Sequence, residues 1–441
     1  MYRIFIVEDD AVIASAVEGH LRSWGWDARC AGDFWNILAE FAAFDPQLVL
    51  MDISLPSYNG YHWCGQIRQV SRVPVIFISS AADNLNIVMA VNMGGDDFIA
   101  KPFDLDDNAV RWVNDTFNAM TQEEKIAQLF VDMLWNDTGK QTAALLGRYP
   151  SGGLRYNNRK PRELYRQNAA AQKNSRIPLL IAANVEAGGN GAMTGGTKIG
   201  EGIACAATGD TRSAYEMGLY GCREAAAVVC NWTFAPVVDI DRNWRNCVIP
   251  TRCFGSDPDT VLEMALAYMK GANEAGVACC MKHFPGDGCD DRDQHIVTTV
   301  NDCTCEEWDA SYGKVYQGMI GAGVPSIMVG HIQQPAYSRK LRPGIRDEEI
   351  MPATVAPELL QGLLREKLGF NGLIITDATH MVGLTGKMRR SEFLPIAVQS
   401  GCDMILYYRD HDEDLRFMRE GLESGQLTQE RLDEAVLRVL A

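Results

Sequence analysis

No apolar run in the 441 residues approaches the roughly 18 residues that a membrane-spanning helix needs. The chain does not begin with a basic segment leading into an apolar core and a cleavage site, so the expected location is the cytoplasm, with no membrane partner. Positive charge is not in excess either: 41 Lys and Arg face 57 Asp and Glu, a net charge of -16. The first 105 residues hold 6 basic and 13 acidic residues, so neither end of the chain offers the basic footprint of a nucleic-acid binder. Low-complexity segments are also missing. Thirteen cysteines are present, but most, such as Cys230, Cys279, Cys280 and Cys402, fall inside apolar runs. Cys303 and Cys305, a close pair that looks exposed, have no second pair to complete a zinc site. The cysteines read as reduced packing residues. What remains is ordinary globular composition, 47% hydrophobic and 22% charged, in a chain long enough for two or three domains.

The first hundred residues alternate strand and helix. Apolar runs RIFIV (3–7), QLVLM (47–51), VPVIFIS (73–79) and DFIA (97–100) are separated by amphipathic stretches such as AVIASAVEGHLRSWG. That pattern predicts a parallel sheet wrapped by helices, with the loops after the strands gathered into one crevice. Glu8 and Asp9 follow the first run, Asp52 the second, Ser79 the third and Lys101 the fourth. Any one acid alone would read as a helix cap or a solvated loop. Three carboxylates with a lysine and a hydroxyl form a hard-oxygen magnesium site in which one carboxylate can accept a phosphoryl group.

VEDD, LMDISLP, FISS and the KPF of FIAKPF, in that order, resemble the receiver domain of bacterial response regulators over roughly residues 1–104. The resemblance implies a flavodoxin-like fold in which Asp52 is the phospho-acceptor and Glu8, Asp9 and Asp52 hold Mg2+. It also implies that Ser79 and Lys101 read the phosphoryl oxygens, that Phe98 is the switching aromatic, and that a sensor histidine kinase is the phosphodonor. The receiver is assigned to 1–105. A receiver normally closes with its own helix after KPF, whereas here the chain runs straight into the next module, so the switch is either working or a silent relic of fusion.

From 106 to 441 strand and helix signals alternate again. Eight candidate strands stand out: 126–133, 152–156, 178–184, 231–239, 277–284, 326–332, 372–378 and 404–408. Eight such units predict a (β/α)8 TIM-type barrel, giving an α/β chain throughout. Asn184, Asp239, Lys282, His283, His331 and Asp377 each close an apolar run, the end at which such barrels keep their chemistry.

The loop KHFPGDGCDDRDQH (282–295) leaves the fifth strand at that mouth. Lys282 and His283 are set by the strand end, while Gly286 and Gly288 are expected to let the rest swing toward and away from a substrate. Asp293, two residues before His295, can take a hydrogen bond from one imidazole nitrogen and leave the other for proton transfer. Metal binding by His283 and His295 is the rival reading, but their separation lacks the short helical spacing of zinc pairs.

KHFPGDG (282–288) with DQH (293–295), NCVIPTRCFGSDP (246–258) and GLIITDATHM (372–381) together resemble glycoside hydrolase family 3, in its single-barrel β-N-acetylglucosaminidase branch. The resemblance implies a catalytic nucleophile at Asp377, a general acid/base at His295 oriented by Asp293, and sugar binding by Asn184, Glu186, Arg252, Lys282 and His283. It implies no cofactor for this domain. Three positions depart from the branch pattern: Asp287 stands where His is usual, Gln294 replaces Ser, and NVEAGGNGAM (184–193) replaces Asp-x-Glu-Gly-Gly-Arg. Asn184 therefore takes the place of a sugar-binding carboxylate.

The expectation is a β-glycosidase acting on N-acetylglucosaminides, with a peptidoglycan-derived carbohydrate as one candidate substrate. Two alternatives stay open: a phosphorylase that uses phosphate as acceptor, and a catalytically silent sugar-binding signalling protein.

Overall fold

The computed structural model describes residues 2–53, 55, 56, 58–79, 94–100, 107–135 and 138–441. They form two compact units, Met1–Trp112 and Val113–Ala441. The helix Asp107–Asn118 runs across the division.

In the first unit, strands β1 (Arg3–Val7), β2 (Asp27–Cys30), β3 (Leu48–Asp52), β4 (Val75–Ser79) and β5 (Asp97–Ala100) make a parallel sheet in the order β2-β1-β3-β4-β5. Alternation along the strands sends Phe5, Val7, Val49, Met51, Val75 and Phe77 to one face and Ile4, Ile6, Leu50 and Ile78 to the other. Both faces are covered, which is why the strands read as continuous apolar runs. β2, with sequence DARC, sits at the edge with only Ala28 fully buried, and it has no apolar run to betray it. Gly60 opens the helix Gly60–Val70 so close to β3 that a Cβ there would lie 2.1 Å from the Asp52 carbonyl oxygen.

The second unit is a closed barrel of eight parallel strands. They are β6 (Phe130–Leu134), β7 (Gly153–Tyr156), β8 (Leu180–Ala183), β9 (Trp232–Thr233), β10 (Ala278–Phe284), β12 (Ser326–Val329), β14 (Leu373–Ala378) and β15 (Met404–Leu406), with β15 pairing back to β6. β11 (Thr299–Val300) and β13 (Ile332–Gln333) form a separate parallel pair. Val131, Ala182, Trp232, Cys280, Met328, Ile375 and Met404 fill the interior, one from each of seven strands. The Trp232 indole N–H finds Ser326 Oγ at 2.8 Å, so the buried ring leaves no donor unpaired.

Two strand predictions need correction. The run 126–133 begins as helix: Thr121 and Glu124 form a capping box that starts Gln122–Gln128, and the strand opens only at Phe130. The run 231–239 pairs as a strand only over Trp232–Thr233, because Pro236 has no N–H to give. The chain stays beside β10 even so, with Val238 N–H donating to Lys282 O at 2.9 Å.

Rim segments beyond β14 and β15 are tied by a buried cation. Arg390 donates from Nε and Nη2 to Asp414 at 2.6 and 2.7 Å, from Nη1 to Thr379 Oγ1 at 3.1 Å, and from Nη2 to Tyr407 O at 2.8 Å. Arg390→Met strands a buried carboxylate, and the expected loss is about 3–5 kcal/mol, read from the barrel's transition in urea unfolding of the whole chain. A loss under about 1 kcal/mol would show that Asp414 finds other partners.

Candidate active site

Closing the barrel brings the strand ends identified in the sequence into one cavity of about 560 Å³. Its lining includes Asn184, Glu186, Arg252, Lys282, His283, His295 and Asp377. Asp293 stands behind the lining, reached through His295.

The floor is built on charge. Glu186, just beyond β8, accepts Arg252 Nε and Nη2 at 2.8 and 2.9 Å and Lys282 Nζ at 2.5 Å. Burial pushes the Glu186 carboxyl up, but Lys282 and Arg252 outweigh it and hold it far below the usual carboxylate range. His283 Nδ1 lies 2.6 Å from Asp239 Oδ2, and Asp239 Oδ1 takes the backbone N–H groups of His283 and Asp287 at 3.1 and 2.8 Å. Asp239 thus fixes the His283 ring. Its place at the end of an apolar run was the available signal, although its role was not legible from it.

Asp377 lies in β14, facing the cavity. Burial raises its carboxyl, yet His283 and His331 nearby, the Ala378 N–H at 2.7 Å from Oδ1, and Lys282 together bring it below its ordinary value. It is an ionised carboxylate with Oδ2 available. His331 is wholly buried between Thr354 Oγ1 at 2.8 Å and Ala378 O at 3.1 Å, and burial lowers its pKa. His380 and Tyr407 also line the cavity, their rings stacked 6.3 Å apart. Neither carried a signal beyond its nearness to a strand end.

The loop after β10 delivers the second catalytic candidate. His295 Nδ1 lies 2.6 Å from Asp293 Oδ1, which also takes the His295 backbone N–H at 2.8 Å. With Nδ1–H donated to the carboxylate, Nε2 is the nitrogen left for proton transfer, on a side chain about half exposed.

The two loop glycines serve packing rather than the expected swing. Gly286 (φ +113°) would put a Cβ 2.2 Å from the Tyr312 ring, and Gly288 (φ +106°) would put one 2.0 Å from Ile240 O. The loop is pinned further along. Val382 and Gly383 N–H donate to His295 O and Gln294 O at 3.0 and 3.1 Å, and Thr298 Oγ1 donates to Gly383 O at 2.7 Å. Gln294, one of the unusual residues, donates to Asp287 Oδ2 at 3.3 Å, and Asp287 is another.

Cys303 and Cys305 are both buried, correcting the exposed pair expected from the sequence. All thirteen cysteines are free.

In the first unit Glu8, Asp9 and Asp52 come together with oxygens within 4.8 Å of one another, Glu8 and Asp52 being buried. Three hard oxygens this close fit a divalent cation such as Mg2+. Ser79 ends β4, and Phe98 in β5 pairs across the ladder with Phe77. The side chains of both, and all of Lys101, lie outside the described residues.

Residues 121–441 match the family model described as the glycosyl hydrolase family 3 N terminal domain. The chain belongs to glycosyl hydrolase family 3. Residues 4–110 match the response regulator receiver domain, so the family 3 barrel is joined to a receiver. Among curated relatives, the chain is 44% identical over 345 residues to a β-N-acetylglucosaminidase/β-glucosidase from Cellulomonas fimi, covering 78% of this chain and 61% of that protein. Its receiver part is 52% identical over 106 residues to the uncharacterized transcriptional regulatory protein YvcP of Bacillus subtilis, covering 24% of this chain and 45% of that one. Of solved structures, the β-glucoside phosphorylase BglX bound to 2FGlc aligns with a TM-score of 0.75 at 42% identity, over 77% of this chain and 61% of that one. A family 3 β-N-acetylglucosaminidase from Paenibacillus sp. str. FPU-7 aligns at 0.67 and 28%, over 73% and 62%. The chain spans about three fifths of the length of the barrel relatives it matches.

Asp287 makes a pH prediction. Burial, then the neighbouring Asp239, push its carboxyl up to about 6. The folded protein therefore holds a proton that the unfolded chain releases near pH 4, and the stability this contributes is present below that pH and lost as pH rises to about 6. Measured by denaturation between pH 4 and 7, wild type should lose on the order of 2 kcal/mol relative to Asp287→Asn over this window. A constant difference would show that Asp287 is ionised throughout.

Proposed function

We propose that the barrel is a retaining β-glycosidase in which Asp377 is the nucleophile and His295 the general acid/base. The observation that carries this reading is a single cavity lined by an ionised carboxylate on a barrel strand and by an imidazole whose far nitrogen is held by Asp293. Asp377 Oδ2 attacks the anomeric carbon while protonated His295 gives its Nε2 proton to the leaving oxygen. His295, now neutral, takes a proton from the incoming water as that water displaces Asp377 from the glycosyl carbon. Asn184, Glu186, Arg252, Lys282 and His283 grip the sugar hydroxyls. The substrate class is a β-N-acetylglucosaminide, as the similarity to the Cellulomonas and Paenibacillus proteins supports, with cell-wall fragments a candidate source.

A second reading is favoured by one observation, the similarity to BglX, named as a phosphorylase. An imidazole in place of a second carboxylate leaves no additional anion at the acceptor position, so phosphate can replace water there. The receiver is proposed to accept a phosphoryl group on Asp52 from a histidine kinase, with Glu8, Asp9 and Asp52 holding Mg2+.

Turnover of a panel of chromogenic β-glycosides, with and without phosphate, separates the readings. Asp377→Asn should lose nearly all activity, and a 2-fluoro sugar should label Asp377. His295→Ala should lose on the order of 10² to 10⁴ in rate with poor leaving groups and much less with activated ones. A loss independent of leaving group would make His295 a positioning residue, and no turnover of any glycoside would favour a binding protein.

For the receiver, an acyl-phosphate donor with Mg2+ should modify the wild-type chain and leave Asp52→Ala unmodified, read by intact mass. The expected change in kcat/KM on modification is under about fivefold, below most allosteric couplings. A tenfold change that disappears in Asp52→Ala would show a working switch.

A further inference from the structure

The loop that carries Asp293 and His295 begins and ends on two thiols that touch. Cys289 Sγ lies 3.8 Å from Cys303 Sγ, across fourteen positions of sequence. Cys289 is half-buried beside the Tyr312 hydroxyl at 3.4 Å, and Cys303 is 2% exposed. Both backbones are held in place. Asn243 Nδ2 donates to Cys289 O at 3.0 Å, Gln334 Nε2 donates to Cys303 O at 2.7 Å, and Cys303 N–H donates to Asn301 Oδ1 at 3.2 Å. A disulfide needs sulfurs about 2.05 Å apart, so the two have less than about 2 Å to close.

We propose that Cys289 and Cys303 form a reversible disulfide with a low-molecular-weight disulfide as oxidant, and that this bond tethers the two ends of the acid/base loop. Cys289, the more accessible sulfur, attacks one sulfur of the reagent and expels the other half as a thiol. Cys303 then attacks Cys289 Sγ and expels the second half. Two protein thiols are oxidised, and one reagent disulfide is reduced to two thiols that carry away both protons. The hydrogen bond between the two lowers the Cys303 thiol, with burial opposing and Arg242 assisting, and the same bond, then burial, pushes the Cys289 thiol up, so the first attack is favoured at alkaline pH. Cys289 and Cys303 are the only described cysteines whose sulfurs are hydrogen-bonded to each other, while Cys247, exposed on a neighbouring segment, has no such partner.

The test uses the full chain treated with oxidised glutathione at pH 8. Trypsin cuts after Lys282, Arg292 and Lys314, so the bond would join peptide 283–292 to peptide 293–314, in which fragmentation distinguishes Cys303 from Cys305. The expected result is that joined pair, a loss of two thiols, and recovery of both on reduction. Cys289→Ala and Cys303→Ala should each abolish it, with circular dichroism confirming that each variant folds. Glutathione held as a mixed disulfide on Cys289 or Cys247 without the joined peptides, or thiols left unreacted, would overturn the proposal. The effect on turnover rests on the acid/base reading of His295, whereas the cross-link is read by mass and stands apart from it. Because the loop is already pinned, a full cross-link should leave kcat of an active enzyme within about twofold, and a larger reversible loss would overturn the placing of the tether on ends already held.

Discussion

The floor of the cavity depends on one carboxylate. Glu186 receives a cation from β10 and another from the loop after β9, and it lies just beyond β8. Lys282 is almost completely buried, so without Glu186 its charge would lose the one carboxylate it is paired with directly. The same pairing joins three rim segments, and Glu186, Arg252 and Lys282 all line the cavity. Against burial, His283 and His331, then the Ala378 N–H and Lys282, hold the Asp377 carboxyl below its ordinary value. The ionised state of Asp377 is thus set by charged and polar groups around it rather than by exposure to solvent.

The loop 282–295 is held by a contact between two of its own residues. Asp287 and Gln294 are hydrogen-bonded to each other, and Gln294 Oε1 also accepts the His331 backbone N–H at 2.8 Å. Gln294→Ser would remove the partner of the buried Asp287 Oδ2, while Asn246 and the Gly288 N–H stay on Oδ1. The amide between Asp293 and His295 is thus the clasp that sets the dyad's height above the floor. Backbone bonds to Val382 and Gly383 couple that height to the segment that follows the nucleophile.

Most of the barrel was legible because its strands are short apolar runs, several of them ended by a polar residue, and closure needs those ends on one rim. Asp377, Lys282, His283 and Arg252 followed from motif and position. The errors have local causes. Residues 126–128 are apolar enough for a strand, but the Thr121–Glu124 capping box and the length of the run made them the end of a helix. β2 was invisible because an edge strand buries too little to need an apolar run. The glycines of the loop were read as hinges since sequence shows only that a Cβ is missing, and not the Tyr312 ring or Ile240 carbonyl that occupies its place. His380 and Tyr407 reach the cavity from the segments just beyond β14 and β15, which no spacing encodes.

The helix Asp107–Asn118 poses the remaining physical question, because the division between the two compact units falls within it. Its second half belongs to the barrel. Val113 and Phe117 pack against a core cluster there, and Lys125 Nζ stands 3.5 Å over the Phe117 ring. A cation over an aromatic face contributes about 0.5–2 kcal/mol, and the two partly buried apolar side chains add to that anchor. Couplings between sites in regulated proteins are typically about 1–3 kcal/mol. A phosphoryl group on Asp52 that drew the helix toward the receiver would have to displace an anchor of the same size. Strong regulation therefore requires that the barrel hold the helix less tightly in one of two states, and the packing of Val113 and Phe117 is where such a difference would be found.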